Sequence, residues 1–204
     1  MEYKVIIDGL EHGQADIRSA NIKRPLFDQL SIGNACEAEL KILYRPKAEA
    51  QKMAIVEPYV NEGSGWERLG VFYIDQRSTA ANGITTLIAY DSMLKANLEW
   101  VPDQSLEFPM SMQTAAEEIA SLMGISLDAR TELNESYSVD YPANEYTLRD
   151  VLCFIATAHG GNWIITRENK LLLVPLVGSA PQETSYLVTE AGDPITFGGD
   201  RILI

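Results

Sequence analysis

Through the first hundred residues apolar and polar positions alternate in short runs broken by turn residues, which is the period of β-strands. The clearest run is CEAELKILY, where Ala38, Leu40, Ile42 and Tyr44 fall on one side and Glu37, Glu39 and Lys41 on the other. Further strands are predicted in YKVIID, MAIVEPYV, ERLGVFYIDQRS and GITTLIAY. Asn82-Gly83 predicts a two-residue hairpin turn, because both residues tolerate positive φ. Glu62 to Gly65 predicts a second turn, and His12-Gly13 is expected to close the first hairpin. Successive strands on short turns imply an antiparallel sheet that must curl or pack against something to bury both apolar faces, so a small β-barrel or sandwich is expected over residues 1–90. YDSMLKANLEW then predicts a short helix with Asp91 as N-cap, placed to plug or cover that barrel.

From about residue 99 the period lengthens. In SMQTAAEEIASLMGI, the residues Met112, Ala115, Ala116, Ile119, Ala120 and Met123 form one helical stripe, and Gly124-Ile125 predicts a Schellman stop. TLRDVLCFIATAHGG predicts a second helix, with Thr147 and Asp150 as a capping box and Leu148, Val151, Leu152, Ile155 and Ala156 as its buried stripe. NWIITR and KLLLVPL follow as two strands around Glu168-Asn169. The fold class is therefore α+β: an N-terminal antiparallel β-barrel over 1–98, then a helix, helix, hairpin domain over 99–177. Residues 178–204 read as a linker and the start of, or return to, a barrel domain.

The 204 residues, 46% of them hydrophobic, suffice for a core without disulfides or metal. Cys36 and Cys153 lie far apart in apolar or alternating runs, as small hydrophobes. With two histidines and no paired CxxC, no zinc ligand set is expected. The net charge is -13; residues 1–98 hold 11 basic and 13 acidic side chains, against 5 and 16 in the remainder. Such a balance argues against direct nucleic-acid binding, which needs clustered Lys and Arg. The N-terminus lacks a signal-peptide pattern, and no apolar run reaches membrane-spanning length, so a protein made in the cytoplasm with no membrane partner is expected.

His159-Gly160-Gly161 invites comparison with an oxyanion hole, but the GxSxG elbow that accompanies it in hydrolases is missing, and a glycine helix cap accounts for the triplet. Glu117 and Glu118 fall off the stripe of their helix and are expected on a solvated face. Asp75 and Asp91 sit at predicted strand ends, with nothing to make them converge. Tyr59, Trp66, Phe72 and Tyr73 fit barrel filling, with glycan stacking as the alternative. No catalytic, cofactor-binding or metal-ligating residue is assigned, and no enzymatic activity or cofactor is expected.

Three ordered stretches, SIGNACEAELKI (31–42), LGVFYIDQRSTAANGITTLIAYDSMLKAN (69–97) and YTLRDVLCFIATAHGGNWIITRENKLLLVPL (146–176), resemble the N-terminal part of bacteriophage tail-hub proteins of the baseplate or tail tip. The resemblance implies tail-tube-like barrels in a trimeric ring. It implies a virion structural protein of a phage or prophage tail that self-assembles and docks to tube and tail-tip proteins, with an acidic surface suited to a channel that DNA traverses. In this picture Gly33-Asn34 turns the chain before a strand, and the helix from Thr147 packs an inserted domain. The alternative reading is a tail-tip module that binds cell-wall or surface glycans.

Overall fold

The computed structural model describes residues 2–27, 31–103, 105–141 and 145–176, together with the backbone of 196–197 and 200–201. The alternating front half forms β1 (Glu2–Ile7), β2 (Leu10–His12), β3 (Ile17–Lys23), β4 (Asn34–Ala35), β5 (Glu39–Tyr44), β6 (Ile55–Asn61), β7 (Trp66–Arg68), β8 (Phe72–Thr79) and β9 (Thr85–Tyr90). All but β4 join one antiparallel eight-stranded sheet, in the order β2-β1-β6-β8-β9-β5-β3 with β7 on β6. The inward side chains of β5, namely Leu40, Ile42 and Tyr44, are buried as their spacing requires. They pack with Val5, Ile7, Val56, Phe72, Ile74 and Leu87 in the first hydrophobic core.

The expected closed barrel is corrected here: the sheet formed by the described residues is open and antiparallel, because among them β3 pairs only with β5, and β1 only with β6 and the short β2. Closure needs a continuous ladder around the circle. Instead, the turn at Gly13–Asp16 carries the chain directly from the β2 edge to the β3 edge at one end.

Two turns differ from expectation. The first hairpin is closed by Asp8-Gly9, not His12-Gly13; both residues have positive φ, 49° and 77°, which a type I′ turn demands. Between β8 and β9 only Gly83 is left-handed, and Ala80 N–H reaches the Ile84 carbonyl around a three-residue loop, rather than a two-residue one. Glu62 to Gly65 turns as predicted, with Asn61 Oδ1 accepting from the Gly63 and Gly65 amides.

The rear elements are β10 (Met110–Ser111), α1 (Met112–Leu122), β11 (Ser126–Leu127), β12 (Ser138–Val139), α2 (Leu148–Ala158), β13 (Gly161–Ile165) and β14 (Lys170–Pro175). α1 ends in the predicted Schellman motif: Gly124 is left-handed, Ile125 N–H binds Ala120 O and Gly124 N–H binds Ser121 O. α2 begins in the predicted capping box of Thr147 and Asp150 and buries all five stripe residues. β13 and β14 form a hairpin inside a four-stranded mixed sheet, β11-β14-β13-β4. β4 reaches it from the front half and pairs parallel with β13. β15 (Thr196–Phe197) and β16 (Asp200–Arg201) pair antiparallel, and the remainder of the predicted linker and returning barrel over 178–204 lies outside the described residues.

The segment after Asp91 does not plug the barrel. Ser92–Asn97 forms a 3-10 helix whose Met93 and Ala96 pack in the second core, with Trp100, Ile119, Leu152 and Trp163.

Candidate functional site

Three buried or half-buried polar side chains bind the two cores together. Asn162, fully buried at the start of β13, accepts at Oδ1 from Asn34 N–H (2.8 Å), and its Nδ2 donates to the carbonyls of Leu26 and Ser31. It holds the strand β4 and the segment before it against the rear hairpin, where an apolar residue would forfeit three hydrogen bonds to backbone groups. Arg149, on the polar side of α2, donates to Ala35 O (2.7 Å), Met93 O (2.9 Å), Asn97 Oδ1 (2.9 Å) and Glu37 Oε1 (3.1 Å). The rigid guanidinium fork thereby ties α2, the 3-10 helix and the lead into β5.

Asp91 is the third, 3% exposed. Its Oδ1 caps the 3-10 helix through Met93 N–H, and its Oδ2 accepts from Ala38 N–H, both at 3.0 Å. Burial pushes its carboxyl up to about 7, against the opposing pull of the two backbone amides; the charge of Glu37 adds to the rise.

The side chains weighed and set aside as catalytic candidates are all engaged structurally. His159 terminates α2: Nδ1 lies 2.8 Å from Ile155 O and Nε2 accepts from Asn134 N–H at 2.9 Å, which places the ring proton on Nδ1 and makes the histidine a clasp on the 134–137 turn. Gly160 takes the left-handed cap, φ 61°. Gly161 serves a different purpose, since a Cβ there would lie 2.6 Å from Val174 O in the partner strand. Asp75 sits at a bulge in β8 and pairs with Lys52 at 3.3 Å. Glu117 is exposed and accepts from Gln113. Glu118 corrects its expectation: it accepts from Trp100 Nε1 (3.1 Å) and Asp103 N–H (2.7 Å), anchoring the loop before β10 rather than facing solvent. The Cys36 and Cys153 thiols are half-buried, and Cys36 Sγ donates to Leu26 O at 3.5 Å. Among the described residues no cluster of three or more His, Cys, Asp or Glu side chains could hold a metal ion, and no helix is long and apolar enough to cross a membrane.

Unused bonding capacity lies instead along the sheet margin. Among the described residues β3 has an unpaired outer edge over Ile17–Lys23, and β1 is uncovered on one side over Glu2–Lys4, because β2 pairs only with Val5, Ile6 and Ile7. Between these margins opens an apolar cleft of about 450 Å³ lined by Tyr3, Val5, Ala20, Ile22, Leu40 and Tyr59, among others. On its flank Lys4 lies over the rings of Trp66 (4.7 Å) and Tyr59 (5.7 Å) and pairs with Glu11 at 2.8 Å.

Comparison of the whole architecture with solved structures is decisive for the fold. A 43 kDa tail protein of prophage MuSo2 from Shewanella oneidensis superposes with a TM-score of 0.62, at 14% identity over 96% of this chain and 61% of its own. A tail protein from Neisseria meningitidis MC58 gives 0.60, at 14% identity over 92% of this chain and 55% of its own. The chain has the fold of phage tail proteins. It spans about three fifths of the length of these relatives. A prophage tail protein gp18 from Listeria monocytogenes EGD-e aligns at 10% identity with a TM-score of 0.49. No family model matches the sequence, and no curated protein matches it.

Proposed function

We propose that this tail-protein fold serves as a structural, non-enzymatic part of a phage or prophage tail or baseplate hub, one that self-associates into a ring, trimeric by the family resemblance, and docks to other tail proteins in the virion. The observation that carries the reading is the match over more than nine tenths of the chain to two tail proteins. The polar residues support it, since His159, Glu118, Arg149 and Asn162 are all consumed in holding elements together. A sheet with unpaired margins supplies the means, because an edge offers directional N–H and C=O groups to a neighbouring strand. The glycan reading has weaker support: the exposed Trp66 has the Lys4 ammonium over its ring, where a sugar face would stack.

The test is co-expression with phage tail-tube and tail-tip proteins, followed by light scattering and electron microscopy. A ring containing this chain is expected. A protein that stays monomeric with every neighbour overturns the reading.

A further inference from the structure

A second cavity, of about 350 Å³, opens at the end of the front sheet farthest from the Asp91 joint. The strand register places it. β5 and β9 pair Glu39 with Tyr90 beside that joint, and Tyr44 with Thr85 at the other end, where the cavity lies. Its lining includes Tyr44, Lys47, Glu49, Arg77, Thr79 and Thr85.

The feature that needs explaining is the Tyr44 hydroxyl. Tyr44 is 1% exposed, and the His12 ring packs nearly at right angles to its own, with 5.1 Å between centres. Among the described residues the hydroxyl has no hydrogen-bond partner. Burial pushes the phenol up against the opposing charge of Arg77, so it keeps its proton and remains a donor. A buried hydroxyl without a partner costs stability that a phenylalanine would not.

The surrounding polar groups are mostly donors as well. Thr79 and Thr85 share one hydrogen bond at 2.9 Å, so one of their hydroxyl protons is left over. Arg77 donates to Ala50 O (2.6 Å) and Glu49 Oε1 (2.5 Å), with further N–H groups to spare. Lys47 donates to Glu11 O and Asp16 Oδ2, both at 2.8 Å, and keeps a third N–H. Converging spare donors beside two cations suit an anion.

We infer that this cavity binds a carboxylate. Charge selects a monoanion over a phosphate dianion: Lys47 and Arg77 stand against Glu49 in the lining, and Asp16 already holds one side of Lys47. Glu49 displays the chemistry. Its carboxylate sits on Arg77, yet its side chain is 73% exposed and can turn out into water. The incoming carboxylate takes its place on Arg77 and accepts from Tyr44 and the threonine pair. Glu49 is thus a competitor built into the rim. The inference rests on the front sheet alone, so it and the tail role can fail separately.

Nuclear magnetic resonance titration of the full chain at fixed ionic strength tests it. The probes are butyrate, whose chain copies a glutamate stem, a capped hexaglutamate peptide, and inorganic phosphate. The two carboxylate probes should give saturable amide shifts centred on residues 44–50 and 77–85, with phosphate weaker. Peptide binding about tenfold or more tighter than butyrate assigns the site to an acidic segment of another polypeptide; a smaller advantage assigns it to a free organic acid. Both outcomes support the inference. Tyr44→Phe should keep the native melting temperature and weaken butyrate binding about tenfold, the value of a hydrogen bond to a charged group. Glu49→Gln should tighten binding about threefold by removing the competitor. No saturable shift, phosphate as the tightest probe, or unchanged affinity in Tyr44→Phe overturns the inference. A Tyr44→Phe chain that melts well below the native one overturns it too, since the hydroxyl is then spent inside the fold.

Discussion

Arg149→Met removes the guanidinium while keeping most of the aliphatic stem, so its effect isolates the polar clasp from packing. Four acceptors lose their donor: Ala35 O, Met93 O, Asn97 Oδ1 and Glu37 Oε1. Hydrogen bonds to charged groups contribute roughly 1.5–3 kcal/mol each when buried. The side chains of Arg149 and Glu37 are 25% and 24% exposed, so water replaces part of what is lost at Glu37, and that pair counts for at most about 1 kcal/mol. The two backbone carbonyls lie between packed elements and dominate the loss. We expect a destabilisation of about 3 kcal/mol, which for a chain of this size lowers the melting temperature by about 6–12 °C. Arg149→Lys should fall between the two, since an ammonium cannot span acceptors on three elements. Urea denaturation with fluorescence of Trp100 and Trp163, both in the second core, is the assay. A loss below about 0.5 kcal/mol, the range of an ordinary surface substitution, refutes the idea that this residue joins the two cores.

Other predictions follow from the same joint. Asp91 is protonated in the folded chain up to about pH 7 and ionised in the unfolded chain above about 4. Folding therefore takes up a proton between those values, and stability should fall as pH rises through that window, by up to about 4 kcal/mol. Asp91→Asn should flatten this slope, as read by denaturation at a series of pH values; an unchanged slope assigns it to another group. Gly33 has φ 82°, and a Cβ there would meet Thr157 Oγ1 at 2.3 Å, so Gly33→Ala should destabilise by about 2 kcal/mol. Adding Thr157→Ala should recover the steric part and leave the backbone strain, as a double-mutant cycle of melting curves would show. Asn162→Ala removes a donor from the Leu26 and Ser31 carbonyls and the acceptor of the Asn34 amide and should cost about 3 kcal/mol, with faster amide exchange at Asn34 and Cys36. His159→Gln should cost about 1 kcal/mol and leave assembly with tail proteins intact, the result expected of a clasp.

What the sequence determined by itself is local. The stripe of α2, its capping box, the Schellman stop after α1 and the inward set of β5 were legible because each depends on residues within a few positions of one another. Asp8-Gly9 carried an equally local turn signal that His12-Gly13 obscured. The tertiary structure decided the rest. Asn162 and Leu26 meet across 136 positions, and Arg149 and Ala35 across 114, separations over which no periodic pattern extends. The only sequence trace was a polar residue beside apolar ones in GGNW, and a lone cation within a predicted helix. Whether a sheet closes was likewise invisible, since alternation fixes which face of each strand is buried but not which edge finds a partner. That depends on strand order and curvature, which are properties of the assembled chain.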